Sequence, residues 1–288
     1  MLSIKEGDLK NILPLDGPSI SEVKNYLKKY NDEYIVIKCG GSVLIDKNLF
    51  DIFCKNIVTL NKIGFIPIIV HGGGKRISNK LSELGIENKF VKGLRVTGEK
   101  TIKVVENVLI EFNREIVASL EKQNCKSQSI HTKENNIISV EKGSEELGFV
   151  GSPTDINKSI IDKIVEEKKV PVIAPLGLGT NNQAYNINAD TAAGSIAKKL
   201  KARRLIIISD VEGVLDSNNK LIPEMTSVSI KNLIQNGTIS DGMIPKINNC
   251  LDVASNGVKG VAIIDGRKNH SLLFELLSDK GSGTLIRK

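Results

Sequence analysis

Two lysines and two glycine loops are the residues of this sequence best suited to chemistry. Lys38 closes an otherwise apolar run and is followed by Cys39-Gly40-Gly41-Ser42. It reads either as a lysine snorkelling above an ordinary turn or as a cation aimed at phosphate, with glycine backbone bringing N–H groups to the same anion. A second apolar run enters His71-Gly72-Gly73-Gly74 just before a helical stretch. A helix N-terminus preceded by bare backbone suits an anion, because its orphan N–H groups and its dipole both favour negative charge. A plain strand-to-helix turn usually needs one glycine rather than three. His71 has no partner identifiable in the sequence and reads as a structural imidazole. Lys246, in Gly242-Met243-Ile244-Pro245-Lys246, falls in the first turn of another helix with Pro245 near its start. A cation there opposes the helix dipole by about 0.3 to 1 kcal/mol, so it is either exposed and screened or set opposite an anion.

Three further groups could meet a ligand. Arg95, in Gly93-Leu94-Arg95-Val96-Thr97, is either one half of a surface ion pair or a bidentate clamp on a carboxylate. Asn186-Ile187-Asn188-Ala189-Asp190 runs into a helix start, where one polar residue serves as N-cap and the surplus asparagine can offer an amide to a ligand. Asp210, in Ile208-Ser209-Asp210-Val211-Glu212-Gly213, and Asp265 end two more apolar runs, as turn-formers or as carboxylates beside a nucleotide. Neither glycine loop has the spacing G-x-G-x-x-G, and G-x-x-x-x-G-K-[ST] is absent, so a dinucleotide-binding dehydrogenase and a P-loop NTPase lose their main support. Two glycine loops on neighbouring strands point instead to two anionic groups held side by side.

The elements that must position these residues alternate. Short β-branched runs at 34–38, 65–70, 170–175, 205–210 and 258–265 suit strands buried on both faces. Amphipathic stretches at 48–63, 75–84, 99–121, 154–167, 190–200 and 244–255 suit helices. The expected fold is α/β, a three-layer sandwich whose open, mainly parallel sheet carries ligand sites at the carboxyl ends of its strands. Residues 1–31 precede the first strand and form a helical arm, its amphipathic part at 19–30 capped by Ser19 or Ser21. Residues 124–151 are short, alternating and turn-rich, which predicts hairpins inserted into the α/β core and able to cover a substrate.

Composition excludes several other classes. The 288 residues are 40% hydrophobic and 25% charged, enough for a sizeable core and too apolar for disorder. No apolar run approaches the roughly 20 residues a bilayer requires, and the first residues alternate apolar and charged with no signal-peptide core, so the expected location is cytoplasmic. Four scattered cysteines and three scattered histidines indicate neither a disulfide framework nor a protein-built metal site. The net charge of +7 comes from lysines spread between acidic residues, and with no Trp and 4% aromatics there is little to stack on bases, so no nucleic-acid partner is expected.

Taken in order, Lys38-Cys39-Gly40-Gly41, His71-Gly72-Gly73-Gly74, Gly93 to Thr97, Tyr185 to Asp190 and Gly242 to Lys246 closely resemble the N-acetylglutamate kinase family of the amino acid kinase superfamily. Gly148-Phe149-Val150-Gly151, Gly237-Thr238-Ile239-Ser240 and Gly283-Thr284 agree with it. The resemblance runs from about residue 34 to 286. It implies the amino acid kinase fold at 32–288, with a substrate-binding and dimerisation lobe at 32–178 and a nucleotide-binding lobe at 179–288. It further implies transfer of the γ-phosphoryl of ATP to the side-chain carboxylate of N-acetyl-L-glutamate, with Mg2+ held mainly by the nucleotide. Lys38 and Lys246 would stabilise the transition state from opposite sides and Asp190 would hold both lysines. Gly73, Gly74, Arg95 and Asn186 would bind acetylglutamate, with Arg95 on its α-carboxylate. Gly40 and Gly41 would cradle phosphate, while Ser209, Asp210 and Gly213 would lie by the nucleotide. The arm resembles the extension of arginine-inhibited hexameric members, implying a homodimer or a trimer of dimers and an arginine effector. Departures from the family pattern are Cys39, His131-Thr132-Lys133-Glu134 in the insert, Asp241, and Lys280 where an acidic residue is common. The alternatives are a kinase of another acidic amino acid, such as an N-blocked aminoadipate, and a non-catalytic arginine- or nucleotide-sensing paralogue.

Overall fold

The computed structural model describes residues 6–240 and 243–288, so residues 1–5 of the arm, Asp241 and Gly242 lie outside the described residues. The β-branched runs form the middle of an eight-stranded sheet. Its order is Glu224–Met225, Gly283–Ile286, Val261–Asp265, Arg204–Ser209, Tyr34–Cys39, Ile66–His71, Val170–Ile173 and Ser127–Ile130. Neighbours are parallel except Val261–Asp265 with Gly283–Ile286. Side chains alternate across the sheet, so Ile35 and Ile37 enter one core layer and Val36 the other. Helices Lys158–Glu166, Ala189–Leu200 and Met243–Ser255 cover the Val36 face. Helices Ile20–Tyr30, Lys47–Lys62, Glu99–Glu121 and Ser271–Leu277 cover the other. This is the three-layer α/β sandwich expected.

Parallel register brings the chemistry to one edge. Lys38 stands opposite Val70 on one side and Ile207 on the other, and Cys39 opposite His71, so three neighbouring strands release their loops together. The loops at 38–42, 71–75 and 209–213 therefore leave the carboxyl end of the sheet side by side, where ligand sites of open α/β sheets lie.

Two expectations require correction. Residues 124–151 are not all inserted hairpins, because Ser127–Ile130 is the edge strand of the main sheet, paired in parallel with Val170–Ile173. Its polar Ser-Gln-Ser-Ile alternation reflects an edge position rather than a hairpin. The hairpin expected there does exist as Ile138–Lys142 against Gly151–Ile156, joined by Leu176–Leu178 and Ala184–Asn186 in a separate four-stranded sheet. The helix expected at 154–167 begins only at Lys158, because the backbone of Gly151–Ile156 is committed to that hairpin, with Ile156 buried opposite Ile138. The Leu176–Leu178/Ala184–Asn186 pair also spans position 178, tying the two expected lobes together.

In the arm, Ser19 caps Ile20–Tyr30 through a capping box with Glu22. This helix lies against the body: Val23 and Tyr30 are buried, Tyr30 packs on Phe65, and Tyr26 Oη donates to Asp279 at 2.7 Å. A shorter helix, Glu6–Ile12, precedes it and buries Leu9. Among the described residues no helix is long and apolar enough to cross a membrane.

Candidate active site

Lys38 and Lys246 converge on one carboxylate. Lys38 Nζ lies 3.0 Å from Asp190 Oδ1, and Lys246 Nζ donates to Asp190 Oδ2 at 2.5 Å. The three side chains come from the end of a strand and the first turns of two helices, and none is more than 19% exposed. Asp190 is placed by a local device: Asn188 caps its helix by accepting from the N–H groups of Asp190 and Thr191 at 2.9 and 3.2 Å. Asn249 Nδ2 donates to the Asp190 carbonyl at 3.2 Å, fastening the two helices together. Burial disfavours the Asp190 charge, but the charges of Lys38 and Lys246 and the hydrogen bond from Lys246 outweigh it, holding the carboxyl at about 2. Two ammonium groups against one carboxylate leave a positive surplus, suited to anions that repel one another.

The first glycine loop is shaped around Lys38 and Asp210. A Cβ on Gly40 would stand 2.4 Å from Lys38 Nζ, so any side chain there would displace the lysine. Gly41 has φ +67° and a Cβ there would meet the Asp210 carboxylate, so both conformation and space require glycine. Asp210 Oδ1 accepts from Ser42 N–H at 2.7 Å and its Oδ2 lies 4.0 Å from Lys75 Nζ. Asp210 thus orders the loop from behind. Ser209 pairs with Asp265 in the sheet, and its carbonyl accepts from Gly266 N–H at 2.9 Å. Gly213 sits apart from the glycine loops, against Thr284 and Leu221. Asp265 is engaged by Arg267 at 2.8 and 2.9 Å, a structural ion pair at the strand end.

The second loop opens the helix Gly74–Glu83, with Gly73 as its N-cap residue. Its first amides have no helical carbonyl to bond and remain available to an anion. Arg95 stands beside this turn. It is 6% exposed, donates to the Gly74 carbonyl at 2.9 Å, to Ser78 Oγ at 3.1 Å and to Asn88 Oδ1, and lies over the Phe90 ring. Burial pushes its pKa down from the ordinary arginine value. Its three hydrogen bonds pin the guanidinium while engaging three of its five donors. Asn186 ends the Ala184–Asn186 strand, where its Nδ2 reaches Thr97 Oγ1 at 3.4 Å and its N–H bonds the Phe149 carbonyl.

These parts line two adjoining compartments. One, of about 290 Å3, is bounded by Lys38, Gly40, Gly41, Gly73, Gly74, Arg95 and Asn186. The other, of about 720 Å3, is bounded by Asp190, Thr191, Pro245, Lys246 and Asn249, and shares Gly93, Leu94 and Asn188 with the first. The paired lysines stand where the compartments meet. Ser209, Asp210 and Gly213 line neither, lying behind or beside the first loop. Sequence reasoning missed Asn113, a polar side chain fully buried on the apolar stripe of Glu99–Glu121, which reaches His71 beneath the second loop. Its placement on that stripe, between Leu109 and Ile116, was the available signal.

Two glycine loops at the carboxyl end of a doubly covered, mainly parallel sheet, with two lysines meeting on one aspartate beside them, make an arrangement suited to phosphoryl transfer between small anions. The model of the amino acid kinase family matches residues 33–265. The chain is 65% identical over its full length to an acetylglutamate kinase of Pelagibacter ubique, covering 100% of both. It is 44% identical to an acetylglutamate kinase of Caldanaerobacter subterraneus subsp. tengcongensis, over 93% of this chain and 91% of that one. This chain belongs to the acetylglutamate kinase family and is a kinase. In fold it superposes with a TM-score of 0.84 on N-acetylglutamate synthase from Neisseria gonorrhoeae, at 19% identity over 93% of this chain; it spans 62% of that longer chain.

Proposed function

We propose that this enzyme phosphorylates the side-chain carboxylate of N-acetyl-L-glutamate at the expense of ATP, giving N-acetyl-L-glutamyl 5-phosphate in arginine biosynthesis. The observation that carries this reading is the Lys38–Asp190–Lys246 bridge, set where a cleft holding Arg95 and Asn186 meets a second, larger compartment.

A carboxylate with a solution pKa near 4.3 is already ionised at neutral pH, so no general base is needed. One carboxylate oxygen forms a bond to the γ-phosphorus, the bond from that phosphorus to the bridging oxygen of ADP breaks, and ADP leaves with the electron pair. The obstacle is repulsion between anions, so catalysis reduces to alignment and charge neutralisation. Lys38 and Lys246 approach the transferring group from two sides, and Asp190 holds their spacing. The amides of Gly40 and Gly41 face phosphate, and those of Gly73 and Gly74 face the reacting carboxylate. Arg95 takes the α-carboxylate with the donors its own bonds leave over, and Asn186 bonds the amide end. Ser209, Asp210 and Gly213 form the loop beside the nucleotide, with Asp210 acting through Gly41 and Ser42.

Mg2+ fits as a companion of the nucleotide rather than a protein-held ion. Both Asp190 oxygens face lysines, and among the described residues no group of three or more His, Cys, Asp or Glu side chains could hold a metal. Bound with the nucleotide, the ion would supply charge neutralisation on the phosphates. Residues 32–178 form the acetylglutamate and dimerisation lobe and 179–288 the nucleotide lobe, in a cytoplasmic homodimer that the arm extends to a hexamer subject to arginine. A clean dimer on gel filtration would remove the hexamer.

The test is hydroxamate trapping of acyl phosphate with Mg-ATP and N-acetyl-L-glutamate beside free glutamate, aspartate and N-acetylaminoadipate. Strong preference for N-acetyl-L-glutamate is expected. Preference for another acid would reassign the substrate, and silence with all of them would defeat the catalytic reading.

A further inference from the structure

Beneath the second glycine loop lies a buried hydrogen-bonded pair that plays no direct part in the transfer. His71 ends the Ile66–His71 strand with its ring fully buried. Its Nδ1 lies 2.8 Å from the Gly72 carbonyl oxygen and its Nε2 lies 3.1 Å from Nδ2 of Asn113. The Asn113 amide also donates to the Val172 carbonyl at 2.9 Å. A carbonyl oxygen only accepts, so Nδ1 carries the ring proton. The two hydrogens of the Asn113 amide are divided between Val172 and His71, so Nε2 is the acceptor. Burial pushes the imidazole down to about 4, so the ring is neutral in a single tautomer at physiological pH. Phe112 meets it edge-on at 5.3 Å between centroids and fixes its plane.

The Gly72 carbonyl and the Gly73 N–H belong to one peptide unit. In a trans peptide the two point in opposite directions, so whatever holds the carbonyl also aims the N–H. Flanked by glycines, this unit has little local steric restraint on its rotation. Both residues line the smaller compartment. We propose that His71, locked as its Nδ1–H tautomer by Asn113, is a positioning residue that aims the Gly73 N–H at the anionic reacting group. This deepens the phosphotransferase reading above and rests on it. A donor aimed in advance is most effective where charge is redistributed, so its loss falls on kcat more than on KM.

Three variants separate aiming from packing. His71→Asn places an amide N–H near where Nδ1 stands, His71→Gln places one near Nε2, and His71→Leu supplies neither. His71→Leu and His71→Gln should lose at least about tenfold in kcat, up to the roughly 10²–10³ that deleting one such donor costs, with KM for N-acetyl-L-glutamate within about threefold. His71→Asn should recover kcat to within about threefold of wild type even where its melting temperature falls as far as that of His71→Leu. Unchanged kcat in His71→Leu, or equal loss in all three, would overturn the positioning role. Nitrogen NMR of the wild-type chain tests the same point without a substitution: with three histidines to assign, His71 should report protonated Nδ1 and bare Nε2, and the opposite tautomer would overturn the proposal. Wild-type activity is measured in parallel. Its absence with N-acetyl-L-glutamate would bring down the substrate reading and this role with it, whereas an active wild type with an indifferent His71→Leu would bring down this role alone.

Discussion

Replacing Asp190 by asparagine keeps the shape of the site and removes the charge that holds two lysines together. Their ammonium groups contact opposite oxygens of one carboxylate, at 3.0 and 2.5 Å. That spacing puts them about 6 Å apart, where two like charges at an effective dielectric near 20 repel by about 3 kcal/mol. Without the carboxylate the lysines separate, and alignment of two cations on the transferring group is lost. If most of that energy appears in the barrier, kcat falls about 30- to 150-fold. Affinity for ATP should hold or improve, because the uncovered lysines still attract phosphate. The assay is steady-state ADP release at varied ATP and varied N-acetyl-L-glutamate, with thermal unfolding run alongside to confirm that the variant is folded. A kcat within threefold of wild type, or a raised KM for ATP at unchanged kcat, would refute the claim that Asp190 acts by spacing the lysines.

Lys246→Met should lower kcat at least about 100-fold while moving KM for N-acetyl-L-glutamate less than fivefold, since this lysine meets charge that shifts during transfer; saturation kinetics with unchanged turnover would remove it from the mechanism. Arg95→Lys should raise KM for N-acetyl-L-glutamate about 10- to 100-fold, because one charge-assisted contact and the planar fork are lost while the Gly74 carbonyl and Ser78 lose their donor; an unchanged KM in the same assay would detach Arg95 from the substrate. Asp190 is held at about 2 in the folded chain against 3.8 for an ordinary aspartate, so its contribution to stability is full above pH 3.8 and is lost as pH falls through about 2. Urea unfolding between pH 5 and pH 2 should therefore cost the wild type about 2 kcal/mol more than Asp190→Asn, and equal losses would show that the ion pairs do not stabilise the fold.

The glycine loops and both lysines were legible in the sequence because each needs only local neighbours: an apolar strand, a run of glycine, a helix start. Once Tyr34–Cys39 and Ile66–His71 are accepted as parallel neighbours, Lys38 and Gly73 necessarily emerge on one edge. What stayed hidden depends on partners far along the chain. Asn113 meets His71 across 42 residues, and nothing near either one announces the pair. Ser127–Ile130 carries too little apolar character to be recognised as a sheet strand until Val170–Ile173 supplies its hydrogen bonds. The start of Lys158–Glu166 was misplaced because Gly151–Ile156 is drawn into a hairpin whose other strand lies at 138–142. Asp210 sits at a strand end as expected, but its part in shaping the Gly41-Ser42 turn depends on the adjacency of two strands. Gly213 shares a short segment with Asp210 yet packs on Thr284, because the chain turns away toward the Gly283–Ile286 strand.

Isotope transfer tests the chemistry most directly. N-acetyl-L-glutamate labelled with oxygen-18 in its side-chain carboxylate is incubated with the wild-type chain and Mg-ATP, the acyl phosphate is cleaved by hydroxylamine at the carbonyl carbon, and the released phosphate is examined by phosphorus NMR. Attack by the carboxylate on the γ-phosphorus leaves one labelled oxygen on every phosphate formed this way, at a rate matching ADP release. Unlabelled phosphate at the rate of ADP release would mean that water rather than the acid receives the phosphoryl group, and the assignment of this site to carboxylate phosphorylation would be wrong.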